Sequence, residues 1–349
     1  MNQFATAQGA PKLISPYKEF CGHADFKKFP QDFTVDEMPS YTPCGKGEHV
    51  WLHIRKTGAN TAWVSEQLAT WSDIKIRDIS YAGRKDKQAV TTQWFSIYDP
   101  KRKCDGKEFA IPGCELLTCS RHTHKLRPGN LVGNQFAIVL RDFHGDKQLL
   151  QQRILDIASN GFPNYFGPQR FGYQSKNLAK ATHWVQQGGK RIRREQRSLY
   201  FSVLRSFLFN LILAERVKSK NWNKVLDGEV IQLDGSKSVF LYDGQSETKE
   251  SIDQRCEILD LHPTAPLFGK GEMWAVAEAG KYEKLIAQTY SVIVEFLGQH
   301  AQLARRALRV IPNNMSMQEH DNNVVLSFSL PAGCYASVLV ELLVTVKTD

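Results

Sequence analysis

The chain has 349 residues, with 45 Lys+Arg against 36 Asp+Glu, a formal charge of +9 and a pI of about 9.1. A composition of 42% hydrophobic and 23% charged residues excludes a largely disordered or collagen-like chain. It provides core enough to need no disulfide or metal staple, and at roughly 100–200 residues per domain the length fits two domains.

Residues 1–24 are polar and Gly/Ala-rich without a clear period and read as a loose lead-in. A short strand follows Pro30, from 33 to 38. Cys44-Gly45-Lys46-Gly47 is a turn. Val50, Leu52 and Ile54 alternate with Trp51, His53 and Arg55, the period of a half-buried strand. Gly58-Ala59-Asn60 ends it, and Asn60 is an N-cap for a helix carrying Trp63, Val64, Gln67, Leu68 and Trp71. Residues 76–81 form a strand or turn leading to a loop at Gly83. Strands are expected at 93–98 and 136–141, and a helix at 147–160, stopped by Gly161.

Beyond Pro163 the texture changes. Residues 164–197 are loop-rich and basic, 198–220 are strongly helical, 227–242 hold short strands with turns, and 282–309 are helical. A strand at 324–330 and an apolar helix at 336–346 close the chain. Short alternating strands at both ends and a different middle predict a discontinuous catalytic domain, 1–160 with 311–349, and an inserted domain at 161–310.

The positive charge is clustered. Residues 84–127 carry ten Lys/Arg against five Asp/Glu, and residues 176–205 carry eight against Glu195 alone. Charge of one sign in strips points to a polyanion, nucleic acid being the commonest. No apolar run approaches the roughly 20 residues that span a bilayer; 336–346 is short and carries Glu341. No secretory signal is visible at Met1–Ala5. Seven cysteines, an odd number, fit free thiols in a reducing cytoplasm.

Gly83-Arg84-Lys85-Asp86-Lys87-Gln88-Ala89 encloses one carboxylate among three cations. Close cations keep such a group charged, and a carboxylate can serve as nucleophile, base or metal ligand. A plain surface turn with a local ion pair is the other reading. Asn134 and Phe136 project from one side of a strand, able to read a base edge and stack on it, or else to cap a turn and fill the core. The stretch 162–172 interleaves aromatics, Gly and Arg170, as a binding loop or a tight packing hinge. Cys114, Cys119, His122 and His124 look like a metal set, but four ligands in eleven residues suit a tetrahedral site poorly, and no metal is expected. There is no P-loop, dinucleotide fingerprint or H-E-x-x-H.

Together, Phe29-Pro30-Gln31-Asp32-Phe33, Gly83–Ala89, Gly133-Asn134-Gln135-Phe136, Asn164–Gly172 and Leu330-Pro331-Ala332-Gly333 resemble the TruD family of tRNA pseudouridine synthases, in order and spacing from about 27 to 343. The resemblance implies an α/β fold of the α+β type: a synthase catalytic domain with a largely antiparallel mixed sheet and a central cleft, plus an inserted TRUD domain. It implies tRNA as the partner, the uridine at position 13 as the target, and an isomerisation needing no cofactor. The catalytic aspartate falls on Asp86 and the active-site basic residue on Lys27. The aromatics fall on Phe33 and Phe136 and the pocket asparagine on Asn134, with Lys85 beside the aspartate as a further substrate-binding residue. Two other classes compete: an RNA-binding protein without catalysis, and a metal-dependent nuclease using Asp36, Glu37 and Asp86.

Overall fold

The computed structural model describes residues 9–245 and 247–347. Among them the chain packs as two units. A sheet unit takes 20–158, 312–336 and the residues from 343 on; a helix-rich unit takes 9–19, 159–311 and 337–342.

Alternation builds the sheet unit. Its first part runs β1 (Gly22–Phe26), β2 (Phe33–Pro39), β3 (His49–Thr57), α1 (Thr61–Ser72), β4 (Ile79–Tyr81), β5 (Val90–Tyr98), β6 (Cys114–His122), β7 (Leu131–Gly145) and α2 (Lys147–Asn160). The chain returns with strands Asn313–His320, Asn323–Pro331 and Thr345–Lys347. The ten strands form one mixed sheet, in the order Asn313–His320, Asn323–Pro331, β7, β2, β5, β3, β6, with β1 and β4 added on β7 and β5. Among the described residues, β2 with β5 and β1 with Thr345–Lys347 are its parallel pairs.

One face of this sheet is apolar. Val50, Leu52 and Ile54 of β3 and Phe95 and Ile97 of β5 pack against Val64 and Leu68 of α1, each contributing about 1.5–3 kcal/mol by burial. Asn60 caps α1 as expected, its Oδ1 accepting from the Trp63 N–H at 2.8 Å. Gly133 lets β7 close on the next strand: a Cβ there would lie 2.2 Å from the Leu330 carbonyl oxygen. That approach keeps Asn134 opposite both Glu37 and Leu330.

The helix-rich unit is organised by Arg194–Lys218. By length and composition this helix could cross a membrane, so the expectation of no such run does not hold. Its buried residues include Asn210 and Arg216, which a core tolerates because both are hydrogen-bonded. The Asn210 amide bonds both the N–H and the carbonyl of Phe166 (2.9 and 2.8 Å). Arg216 pairs with buried Glu229 at 2.8 Å, and Arg305 with buried Glu283 at 2.6 Å. The 164–172 stretch is a packing segment here, with Asn164, Tyr165, Phe166 and Phe171 buried.

Several expectations shift. Residues 1–8 lie outside the described residues, and the rest of the lead-in holds β1. The basic region after 164 contains a helix, Lys176–Gln186. The stretch 282–309 breaks at Tyr290 into helices Ala277–Thr289 and Ser291–His300 and then turns into strand Ala304–Ala307. Strand Leu261–Leu267 carries two prolines, which mask a strand signal. Strand Asn313–His320 lies at the edge of the sheet and its polar sequence hides it.

Candidate active site

The segment 83–89 joins β4 to β5, and its backbone is fastened from three sides. The Gln93 amide donates to the Gly83 carbonyl. Thr61 Oγ1, opening α1, donates to Gln93 Oε1 (3.0 Å) and accepts from the Lys85 N–H (2.9 Å). Lys56 Nζ donates to the carbonyl oxygens of Asp86 (3.1 Å) and Ala59 (2.6 Å). Lys56 is 0% exposed. Burial pushes its ammonium down to about 8, a shift that the charges of Asp86 and Cys114 oppose and that Lys85 reinforces.

The Asp86 side chain is 36% exposed, and its Oδ2 meets Lys27 Nζ at 2.9 Å. Lys27 follows β1 with φ at 58°, a left-handed conformation uncommon for residues other than glycine. Its ammonium lies 3.8 Å from the centroid of the Phe33 ring and 5.4 Å from that of Phe26, contacts of about 0.5–2 kcal/mol. The aromatic wall continues from Phe33 to Phe136 (6.0 Å between centroids) and on to Phe328, stacked on Phe136 at 5.4 Å. A charged pair thus sits at the edge of an apolar wall.

Lys85 serves differently from Asp86's other neighbours. Arg84 and Lys87 are exposed. The Lys85 ammonium is buried against Glu37 Oε2 at 2.6 Å and donates to Asn134 Oδ1 at 2.8 Å. Glu37 Oε1 in turn accepts from the Trp94 N–H. The carboxylate of Asp86 is therefore met by a cation 59 residues earlier in the chain. All six residues singled out from sequence share this web in the sheet unit: Lys27 on Asp86 and Phe33, Phe33 against Phe136, Lys85 on Asn134.

Sequence reasoning missed Lys56 and Phe328 and placed Glu37 only in the nuclease reading. Lys56 continues the inward parity of Val50, Leu52 and Ile54; a lysine at the buried phase of a strand was the available signal. Glu37 continues the parity of Phe33 and Val35. Phe328 shares the inward phase of Val324, Leu326 and Leu330. Asp36, on the other face of β2, accepts from Thr92 Oγ1, so Asp36, Glu37 and Asp86 do not converge. Cys114, Cys119 and His122 are spread along β6, where His122 packs on Trp51 and Tyr41. Among the described residues no group of three His/Cys/Asp/Glu gathers as a metal site.

The two basic strips fare unequally. In the sheet unit Arg102, Lys103 and Arg121 are paired with Asp105, Asp73 and Asp99. In the helix-rich unit Lys176, Lys180, Lys190, Arg191, Arg193 and Arg194 are largely exposed, and among the described residues none is paired with a carboxylate.

Known proteins resemble this chain along nearly its whole length. The family model described as tRNA pseudouridine synthase D (TruD) matches residues 20–188 and 175–342. A tRNA pseudouridine synthase D of Hydrogenovibrio crunogenus is 39% identical over all of this chain and 98% of its own. That of Proteus mirabilis is 41% identical over 91% of each. A solved TruD structure from Methanosarcina mazei superposes with a TM-score of 0.73, covering 97% of this chain and 99% of that one at 19% identity, which supports the fold.

Proposed function

The chain belongs to the TruD family of tRNA pseudouridine synthases and isomerises uridine to pseudouridine in tRNA, and on that premise we propose that Asp86 is its reacting carboxylate and the uridine at tRNA position 13 its target. The observation that carries the first reading is the Lys27–Asp86 ion pair standing over Phe33 and beside Phe136.

In the reaction the N1–C1′ bond of uridine breaks, the uracil turns, and C5 bonds to C1′. C5 loses its proton and N1, freed from C1′, gains one, so substrate and product are isomers. The target must leave the stack, at a cost of a few kcal/mol. Phe33 and Phe136 offset part of this through contact with the base, roughly 1–3 kcal/mol. Lys27 holds the Asp86 carboxylate in one orientation. Lys85 takes Asn134 Oδ1, so the amide N–H end of Asn134 is the end that reads a uracil carbonyl. Exposed cations from Lys176 to Arg194 supply phosphate contacts, which position RNA without reading sequence. Seven free thiols support a cytoplasmic setting.

The test is mass spectrometry of tRNA after incubation with the protein, with carbodiimide labelling because pseudouridine is mass-silent. A label at position 13 with wild type and none with Asp86→Asn is the expected result. A label elsewhere overturns the position, and a label that survives Asp86→Asn overturns the role of Asp86.

A further inference from the structure

Phe29 lies two residues beyond Lys27 and is 49% exposed, whereas Phe33, Phe136 and Phe328 of the aromatic wall are buried. A lone exposed ring is ordinary, but this one is built into place. The Asp32 carboxylate, 1% exposed, receives three donors. Its Oδ2 accepts the Phe29 N–H at 2.9 Å. Its Oδ1 accepts Arg141 Nε at 2.8 Å and the neighbouring guanidinium nitrogen at 2.7 Å. The guanidinium so fixed stands 5.0 Å from the centroid of the Phe29 ring. One buried carboxylate therefore sets both the backbone that carries the ring and the cation that faces it.

The charges around this pair nearly cancel. Lys28 lies 2.8 Å from Asp25 and 3.8 Å from Asp142, and Arg141 is held by Asp32. What the surface offers is a flat ring and a flat cation, the chemistry on which unpaired bases stack. Flipping one base out of a strand also removes a stacking partner from its neighbour. An exposed platform two residues along the chain from Lys27 meets that need.

We propose that Phe29 and Arg141 form a stacking platform for the nucleotide adjacent to the target uridine. This rests on the base-flipping reading of the Asp86 site. The platform holds the neighbour after the target has left the helix and contributes to binding of the flipped complex.

The experiment places 2-aminopurine at each nucleotide flanking the target in turn and reads its fluorescence on binding, with Kd and kcat measured on the same RNAs. With wild type, one flank changes emission on binding. With Phe29→Ala that change disappears and Kd rises about tenfold, in line with the loss of one base–aromatic stack. Phe29→Tyr restores both. When the flanking nucleotide is made abasic, wild type and Phe29→Ala bind equally. Equal Kd and equal emission for wild type and Phe29→Ala on intact RNA, with pseudouridine still formed, overturn the platform and leave the enzyme's assignment standing. A loss of affinity that persists on abasic RNA also overturns it, by showing that Phe29 acts elsewhere. Failure of wild type to form pseudouridine overturns the assignment and the platform with it.

Discussion

Lys56→Met offers the sharpest test of how the Asp86 loop is held. The side chain is fully buried, and its two carbonyl acceptors belong to Asp86 and Ala59. Two opposing effects set the stability change. Lowering an ammonium from 10.5 to about 8 corresponds to about 3 kcal/mol of unfavourable burial at neutral pH, and methionine removes it. Two hydrogen bonds from a charged donor, about 1.5–3 kcal/mol each, disappear with it. The net is a loss of roughly 0–3 kcal/mol, a fall in Tm of no more than about 12 °C for a chain of this size. The effect on turnover is larger. A displacement of about 1 Å at a reacting group costs about 100-fold, so kcat, read as tritium released from C5-labelled uridine in tRNA, falls by about that factor. The Kd for tRNA stays within about threefold, because Lys56 has no surface to offer RNA. The sign of the pH effect follows from the depressed value. Above pH 8 the native state sheds a proton that the unfolded chain keeps up to about 10.5, so wild type gains stability relative to Lys56→Met as pH rises through that window. A kcat within threefold of wild type, or a stability difference flat from pH 8 to 10, would refute the reasoning.

Asp86→Asn is expected to abolish tritium release while tRNA binds within about threefold; turnover above about 1% of wild type removes Asp86 from the chemistry. Phe136 is 6% exposed, and truncation to alanine would cost about 3–5 kcal/mol of fold. Phe136→Leu is therefore the cleaner probe, with kcat/KM about tenfold lower and little change in Tm; an equal loss of Kd and Tm would instead mark a core residue. Glu37→Leu strands the buried Lys85 ammonium and should destabilise by about 3–5 kcal/mol, read by thermal denaturation; an unchanged Tm contradicts the buried pair. Replacing Arg191, Arg193 and Arg194 together by glutamine should reduce the salt dependence of tRNA binding by about one unit of slope for each phosphate no longer neutralised, and an unaltered slope moves the phosphate track elsewhere.

What the sequence makes legible depends on whether a signal is local. Strand alternation carries β3 and β7 because each buries one phase against a helix or a neighbouring strand, whereas β5, buried on both faces from Thr91 to Ile97, is legible from its aromatic and β-branched residues. Asn60 and Gly161 punctuate helices by local chemistry, one through its side-chain oxygen and the other through its left-handed backbone, and the structure keeps both. Edge and proline-bearing strands give no such alternation. The helix at 176–186 begins after the left-handed Gln174 and Ser175, with no side-chain cap, so its start carries no signature to read.

The active site divides along the same line. Motif spacing brings Asp86, Asn134 and Phe136 into view, yet it attributes the charge on Asp86 to neighbours in sequence. The structure pairs that carboxylate with Lys27, 59 residues earlier in the chain, and turns Lys85 inward onto Glu37 and Asn134. A lysine next to an aspartate in sequence and a lysine next to it in space make different contacts here: one joins Glu37 to Asn134, the other meets the carboxylate. Lys56 makes the point again, since its parity is readable in the sequence but its acceptor, the backbone carbonyl of Asp86, is not. Buried charge at the inward phase of a strand is costly, and among the described residues of this sheet unit Lys56 and Glu37 both lead to the Asp86 loop: one to its backbone, the other through Lys85.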